Sequence, residues 1–231
     1  KPLRGDILVN SLSQYGLKAR EYFLFVGTVQ PRKNLERLMK AYALFARLGL
    51  AAFGDSLPSL VIVGSKGWLA DDIYNAAAIV NQRYKKRSDV IASDYELPKK
   101  LGIEDKVKFL GYVPEKDLPT LYSGAIALAL PSLFEGFGLP ILEAQASGCP
   151  VLTSNTSSMP EVAGPPAGGG AIFVNPYSVD DIVEGMERLH RAPEGGGNRL
   201  QLIKKGFENV KRFSWEKCAK ETLGVLEETN E

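Results

Sequence analysis

The stretch PSLFEGFGLPILEAQASGCPVLTSN, residues 131–155, decides the fold because a glycine loop and a short helix join two buried β-type runs. Pro140 suits a first helical turn, where its missing N–H leaves no hydrogen bond unmade, and Gly148 suits a helix C-terminus. The spacing therefore predicts a helix that begins near Leu139. A solvated loop would explain Glu135 and an amphipathic helix would explain Glu143, but neither explains the two acids together.

Short apolar runs recur outside this stretch and alternate with helical patterns. Runs that are apolar on both faces are typical of buried strands in a parallel sheet with helices on each side. We predict a doubly wound α/β fold with about six such strands and a helical C-terminal tail. The predicted strands are residues 22–27, 59–64, 106–111, 125–131, 150–155 and 170–175.

Helical spacing of apolar residues predicts the segments between and after these strands. Ser178 and Ser214 stand where helix N-caps are expected. Residues 1–19 are polar and weakly patterned, so we expect a linker or residual interdomain segment there and one binding domain over residues 20–231. The predicted helices are residues 34–48, 69–88, 114–125, 178–192, 198–213 and 214–229.

Composition excludes several classes of protein. The chain is 45% hydrophobic with a net charge of +1, which favours a globular core and gives no reason to expect nucleic acid or an anionic membrane as the main partner. Two cysteines and one histidine are too few for a disulfide framework or a Cys/His metal site, so we expect no metal and a reducing cytoplasm. We also expect no membrane span and no signal peptide.

Two elements have the chemistry of a phosphate site. The amides of Leu139, Ile141 and Leu142 are predicted to be free at a helix start behind a glycine loop, where α/β folds bind phosphates. Arg32 and Lys33 follow the first strand, with Asn34 as the predicted cap of the next helix. A guanidinium beside an ammonium would neutralise a pyrophosphate.

The two acids then have separable roles. Carboxylates accept hydrogen bonds from hydroxyls, and a sugar nucleotide offers hydroxyls on both sides of its pyrophosphate. The alternatives are a first-turn acid stabilised by the helix dipole for Glu143 and a solvated loop charge for Glu135. The dinucleotide G-x-G-x-x-G, the P-loop and the G-x-S-x-G elbow are absent, and His190 fits a surface or packing role.

The chain resembles the retaining glycosyltransferases of family 4 over roughly residues 20 to 229. Glu135 to Glu143 match that family's E-x7-E motif, and the blocks FLFVGTVQPRKNLERLMKAY and VKFLGYVPEKDLPTLYSGA are similar to it in the same order. The resemblance implies a GT-B architecture of two Rossmann-like domains, of which this chain would be the C-terminal, donor-binding one. The N-terminal domain of the same protein would hold the acceptor, a sugar or glycolipid.

The resemblance also implies site residues. Arg32 and Lys33 would grip the donor diphosphate, Glu143 the ribose hydroxyls, and Glu135 hydroxyls of the transferred sugar. The first turn departs from many relatives at Thr28, where they carry arginine, so the clamp would rest on Arg32 and Lys33. Its GT-x-x-PRKN form is similar to a mannosyltransferase-like branch, which favours GDP-mannose while a UDP-sugar also fits. Further donor-binding positions implied by the resemblance are Gly27, Thr28, Gly111, Tyr112, Val113, Gly136, Phe137, Gly138 and Leu139.

The family's usual explanation of retention is front-face attack, in which the leaving phosphate helps to deprotonate the acceptor. The work of the protein is then to stabilise charge on the departing diphosphate, without a cofactor. We expect the isolated chain to bind GDP or UDP weakly and not to turn over. The alternatives are a sucrose- or glycogen-synthase-type enzyme and a non-catalytic nucleotide-sugar sensor or scaffold. Polysaccharide biosynthesis is the expected setting, and a peripheral membrane contact has no support in the sequence.

Overall fold

A parallel β-sheet forms the centre of the computed structural model, which describes residues 2–53, 57–70, 106–164, 169–191 and 197–228. Among these residues the sheet has six strands in the order β3-β2-β1-β4-β5-β6, and every neighbouring pair is parallel. The predicted doubly wound α/β fold is confirmed. The strands are β1 Tyr22–Val26, β2 Ser59–Val63, β3 Val107–Gly111, β4 Ala127–Leu130, β5 Val151–Ser154 and β6 Ala171–Val174.

Helices cover both faces of the sheet. The helix after β1 packs on the helix after β6, and the helix after β4 packs on the next-to-last of the described helices. Single 3-10 turns precede two of them, at Pro31–Lys33 and Glu115–Asp117. In chain order the described helices are α1 Gly5–Ser13, α2 Leu35–Phe53, α3 Leu118–Gly124, α4 Leu139–Ala146, α5 Met159–Ala163, α6 Val179–His190, α7 Gly197–Val210 and α8 Trp215–Glu228.

The strand order places a switch point between β1 and β4. Phe23 pairs with Leu60 of β2 on one side and with Ala127 of β4 on the other. All five residues of β1 are buried, as expected of a central strand covered on both faces. The connections after β1 and after β4 leave this point in opposite directions, which opens a crevice at the carboxyl ends of the strands.

Most predicted helix boundaries hold to within a few residues, and both predicted N-caps are confirmed. The Ser178 hydroxyl accepts from the amide of Asp181 at 3.2 Å, and the Ser214 hydroxyl accepts from the amide of Lys217 at 3.3 Å. The predicted helix over 69–88 lies almost entirely outside the described residues. Only its first two positions are described, and they lie in irregular backbone.

The N-terminal segment contains a helix that the sequence reading did not predict. Helix α1 packs on α3, and its Leu8 and Leu12 are buried in the core. The boundary of the binding domain at residue 20 stays a prediction. Helix α8, in contrast, has no buried residue, and Trp215 is 78% exposed. Within the described ranges, every helix is too short or too polar to cross a bilayer.

Candidate functional site

The turn after β1 is fixed to two other strand ends by Asn34. Its backbone is in the left-handed region at φ 61°, and its side-chain amide donates to the carbonyls of Pro131 at 2.9 Å and Pro176 at 2.7 Å. The side-chain oxygen accepts from Arg37. The Asn34 side chain is therefore not the cap of α2 that the sequence predicted, because its groups are used to hold the turn over the ends of β4 and β6.

This turn directs both cations towards the glycine loop after β4. The Lys33 ammonium lies 2.6 Å from Oε1 of Glu135, and the Arg32 guanidinium lies 3.2 Å from Oε2. The Ser132 hydroxyl donates to Oε1 at 2.7 Å, and Arg32 also donates to the carbonyl of Phe134. Three predicted site residues from connections about a hundred residues apart thus meet at the switch point.

Burial separates the members of this cluster. The side chains of Lys33 and Glu135 are 8% and 6% exposed, whereas that of Arg32 is 42% exposed. The alternative of a solvated loop charge is wrong for Glu135, since a carboxylate this deeply buried needs compensating charges and donors. Arg32 keeps a water-facing side and is the cation that a bound anion can reach with least rearrangement.

The loop between Glu135 and α4 depends on one glycine conformation. Gly138 has φ 106°, which side-chain-bearing residues rarely adopt, and it starts α4 with Pro140 in the first turn, as predicted. The amide of Ile141 donates to the Gly138 carbonyl at 2.9 Å. Ile141 therefore does not belong to the predicted set of free amides, because the first turn closes on itself. Gly136, Phe137 and Leu139 are exposed beside it.

Two serines that sequence reasoning missed hold this loop from the connection after β5. The Ser157 hydroxyl donates to the carbonyl of Glu135 at 2.8 Å and lies 3.3 Å from its amide. The Ser158 hydroxyl lies 3.0 Å and 2.8 Å from the carbonyls of Glu135 and Phe137. Ser157 has φ 57°, an unusual backbone for serine, and such local strain clusters at functional loops.

Glu143, on α4, makes no hydrogen bond or ion pair with Arg32, Lys33 or Glu135. It is the fifth residue of that helix and exposed, so the alternative of a first-turn acid does not fit its position. The hydroxyl of buried Tyr122 donates to its Oε2 at 2.8 Å. Burial, followed by the charge and the hydrogen bond of Glu143, raises the pKa of Tyr122 well above its ordinary value. The phenol therefore stays protonated and donates.

The remaining predicted positions lie along the same edge of the sheet. Gly27 has φ 150°, and a Cβ there would lie 3.4 Å from the Lys33 ammonium, an ordinary contact, so the backbone conformation and not the space favours glycine. Thr28 is exposed. Gly111 ends β3, where its carbonyl accepts from Gly64 at 2.8 Å, and it is followed by Tyr112, 74% exposed, and by buried Val113. Because β2 separates β3 from β1, residues 111–113 are not part of the cation cluster.

A cavity of about 290 Å³ adjoins the turn after β1. Its lining includes Leu133 but not Arg32, Lys33 or Glu135, so we do not assign the predicted diphosphate to it. Its lining residues are Pro31, Asn34, Leu35, Glu36, Arg37, Leu69 and Leu133. Within the described part of the chain, no three His, Cys, Asp or Glu side chains are grouped so that they could hold a metal ion.

Comparison with known proteins gives this geometry a context. The model of the family described as glycosyl transferases group 1 matches residues 12–208. The O-antigen chain mannosyltransferase B of Escherichia coli is 32% identical over 214 residues, which cover 93% of this chain and 48% of that protein. The chain thus spans about half the length of this relative.

Solved structures share the fold at low identity. The C-terminal domain of a glycosyl transferase group 1 family protein from Francisella tularensis superposes with a TM-score of 0.66 at 19% identity, covering 91% of this chain and 93% of that one. Anabaena HepE in complex with UDP-glucose superposes with a TM-score of 0.74 at 18% identity, covering 97% of this chain and 54% of that one.

Proposed function

This chain belongs to the group 1 glycosyltransferase family, and on that basis we propose that it is the donor-binding domain of a retaining GT-B enzyme of family 4. It binds a nucleotide-diphosphate sugar, and the N-terminal domain of a longer protein holds the acceptor. The observation that carries the proposal is the contact of Lys33 with Glu135, 2.6 Å long, at the switch point where α/β sheets bind ligands.

The proposed roles follow from burial and charge. Arg32, half-exposed, and Lys33 stabilise negative charge on the diphosphate as the bond between the sugar C1 and the phosphate oxygen breaks. The acceptor oxygen forms the new bond to C1 on the same face, and its proton goes to the departing diphosphate. Glu135 accepts a hydrogen bond from a hydroxyl of the transferred sugar. It already accepts from Lys33, Ser132 and Arg32, and a carboxylate has about four acceptor positions, so one remains.

Mannose is the favoured sugar and GDP the favoured nucleotide. The support is the mannosyltransferase-like first turn, with Thr28 after Gly27, together with the name of the Escherichia coli relative, a mannosyltransferase. A UDP-sugar is the second candidate, because HepE, which shares the fold, was solved with UDP-glucose. The ligand series that tests the site therefore contains both nucleotides.

Calorimetric titration of this chain with guanosine, GMP, GDP and GDP-mannose, and with the uridine series, tests the diphosphate site. We compare the wild type with Arg32→Gln, since this exposed cation can be neutralised with less risk to folding than buried Lys33. Loss of a charge-assisted contact predicts GDP binding weaker by about 1.5–3 kcal/mol, with guanosine unaffected. Arg188→Gln, an exposed change of the same charge on α6, is the matched control.

Two results would contradict the proposal. Equal affinity of the wild type and Arg32→Gln for GDP would remove the diphosphate from this cluster. Inversion at C1 of the product made by the full-length protein, read from the anomeric NMR signal, would exclude a retaining reaction.

A further inference from the structure

The hydrogen bond between Tyr122 and Glu143 is a second polar contact of the proposed site, separate from the ion pairs of Arg32, Lys33 and Glu135. Tyr122 lies on α3, 1% exposed, whereas Glu143 is exposed on α4. One carboxylate oxygen, Oε2, accepts from the phenol at 2.8 Å. The other, Oε1, accepts no hydrogen bond from any residue that the structure describes. Half of this carboxylate is therefore fixed, and half is open to a ligand.

We propose that Tyr122 is a positioning residue. Its hydrogen bond holds the Glu143 carboxylate in the orientation in which the carboxylate accepts hydrogen bonds from the ribose hydroxyls of the donor. This inference rests on the proposed function, in which Glu143 binds ribose. An exposed glutamate samples several rotamers, and a ligand that needs one of them must order the side chain on binding. A buried phenol cannot move to follow the carboxylate, so its hydrogen bond selects one orientation before the ligand arrives.

The chemistry of Tyr122 suits this role. Burial, followed by the charge and the hydrogen bond of Glu143, keeps the pKa of the phenol far above neutrality, so the hydroxyl donates at every working pH. A phenol that donates to a carboxylate forms a charge-assisted bond, which is stronger than a bond between neutral groups. A vicinal diol is a matching partner for the free oxygen, since each hydroxyl can donate to a carboxylate.

A purely structural role makes a different prediction. If Glu143 only satisfies a buried phenol, Tyr122→Phe changes stability and leaves ligand preference unchanged. Tyr42 provides the matched control, because it is also fully buried and its hydroxyl donates to a backbone carbonyl, that of Pro58, at 2.8 Å. Tyr42→Phe thus removes the same group from an equally buried place that does not contact Glu143.

The test measures calorimetric affinities for GDP and UDP and for their 2′,3′-dideoxy forms. We expect Tyr122→Phe to weaken binding of the ribonucleotides about three- to tenfold, the range for ordering one side chain, and to leave the dideoxy forms within about twofold. Tyr42→Phe should change neither. Equal weakening of both ligand forms, or of neither, in Tyr122→Phe overturns the inference.

Glu143→Ala separates failure of this inference from failure of the proposed function. Loss of the ribose preference in Glu143→Ala but not in Tyr122→Phe would leave the proposed ribose ligand standing and refute the role of Tyr122. A ribose preference that survives in Glu143→Ala, or a wild type that binds neither GDP nor UDP, would refute the proposed site itself. In the double variant Tyr122→Phe/Glu143→Ala, GDP affinity should equal that of Glu143→Ala alone. Additive losses would show that Tyr122 acts independently of Glu143.

Discussion

Removing one partner of the buried pair Lys33 and Glu135 should destabilise the fold far more than removing one partner of an exposed ion pair. Removal of one partner leaves the other charge buried without compensation, a change that typically costs about 3–5 kcal/mol. Here Arg32 at 3.2 Å and the Ser132 hydroxyl at 2.7 Å still contact Glu135 when Lys33 is lost. We therefore expect Lys33→Met to lower the free energy of unfolding by about 2–4 kcal/mol.

Urea-induced unfolding of a double-mutant cycle measures the coupling directly. The variants are Lys33→Met, Glu135→Gln and the two together. The double variant should lose less stability than the sum of the single losses, with a coupling of about 1–3 kcal/mol, because neither charge is then left alone. The coupling should persist in high salt, since buried charges are poorly screened.

An exposed pair provides the control cycle. Lys18 and Glu21 are 3.9 Å apart with side chains 80% and 61% exposed, so Lys18→Met and Glu21→Gln should couple by less than about 1 kcal/mol. Additivity of the Lys33 and Glu135 changes to within about 0.5 kcal/mol would refute the reasoning. The two side chains would then not depend on each other in the folded protein.

Three further predictions concern pH, thiols and the glycine loop. Burial, with a smaller effect of Arg191, lowers the pKa of His190, so the unfolded state binds more protons than the folded state does. The free energy of unfolding should therefore fall as the pH drops below about 6.5, and His190→Gln should flatten this slope. An NMR titration midpoint at or above about 6.5 for the single imidazole would contradict this prediction. Burial raises the pKa of Cys149 to about 11, whereas Cys218 is exposed. Ellman's reagent at a pH of about 8 should therefore modify Cys218 in the folded chain and both thiols in urea. Rapid reaction of both thiols without urea would contradict this prediction. Gly138→Ala should lower the free energy of unfolding, measured in urea, by about 1–3 kcal/mol, because Gly138 has a backbone conformation that alanine rarely adopts. Gly136→Ala should cost less, since nothing lies within 4 Å of the added carbon. Equal losses in the two variants would count against backbone strain at Gly138.

The sequence predicted the sheet well because its signals are local. Six apolar runs, separated by helical spacing and by glycine or proline turns, were sufficient to predict all six described strands. Helix α1 was missed because only two of its nine residues, Leu8 and Leu12, are buried, which is too few to give a clear helical pattern. Its helical form depends on packing against α3, and tertiary packing leaves little trace in nine residues.

The sequence pointed to the charged residues of the candidate site but not to the contacts between them. Arg32, Lys33 and Glu135 were each expected to face a ligand, whereas in the structure they contact one another. Such a pairing depends on burial and on the approach of two connections distant in sequence, and neither is visible in a local pattern. The same reason hid Ser157 and Ser158. Small hydroxyl residues after a strand are common, and their role appears only when their partners, the Glu135 and Phe137 carbonyls, are in place.

Neutralising Glu135 should strengthen GDP binding, whereas neutralising Arg32 should weaken it, because of the charge balance in the cluster of Arg32, Lys33 and Glu135. Two cations and the Glu135 carboxylate sum to one positive charge, whereas a pyrophosphate in a nucleotide sugar has about two negative charges. At an effective dielectric near 20, a negative charge on Glu135 and one on a phosphate would repel each other by about 2 kcal/mol at a separation of roughly 8 Å. Under conditions where it is folded, Glu135→Gln should therefore bind GDP more tightly than the wild type does.

The same variant should lose the contribution of the sugar. In the proposed site, Glu135 accepts a hydrogen bond from the sugar, and the neutral amide of glutamine is a weaker acceptor than a carboxylate. The affinity ratio of GDP-mannose to GDP should therefore fall in Glu135→Gln even as GDP binding improves. Calorimetry with GDP and with GDP-mannose separates the effect on the diphosphate from the effect on the sugar. Arg32→Gln is the comparison, because it should weaken the binding of both ligands by a similar factor. Weaker GDP binding in Glu135→Gln would mean that the carboxylate helps the diphosphate by orienting Lys33, and the proposed division of roles within the cluster would be wrong.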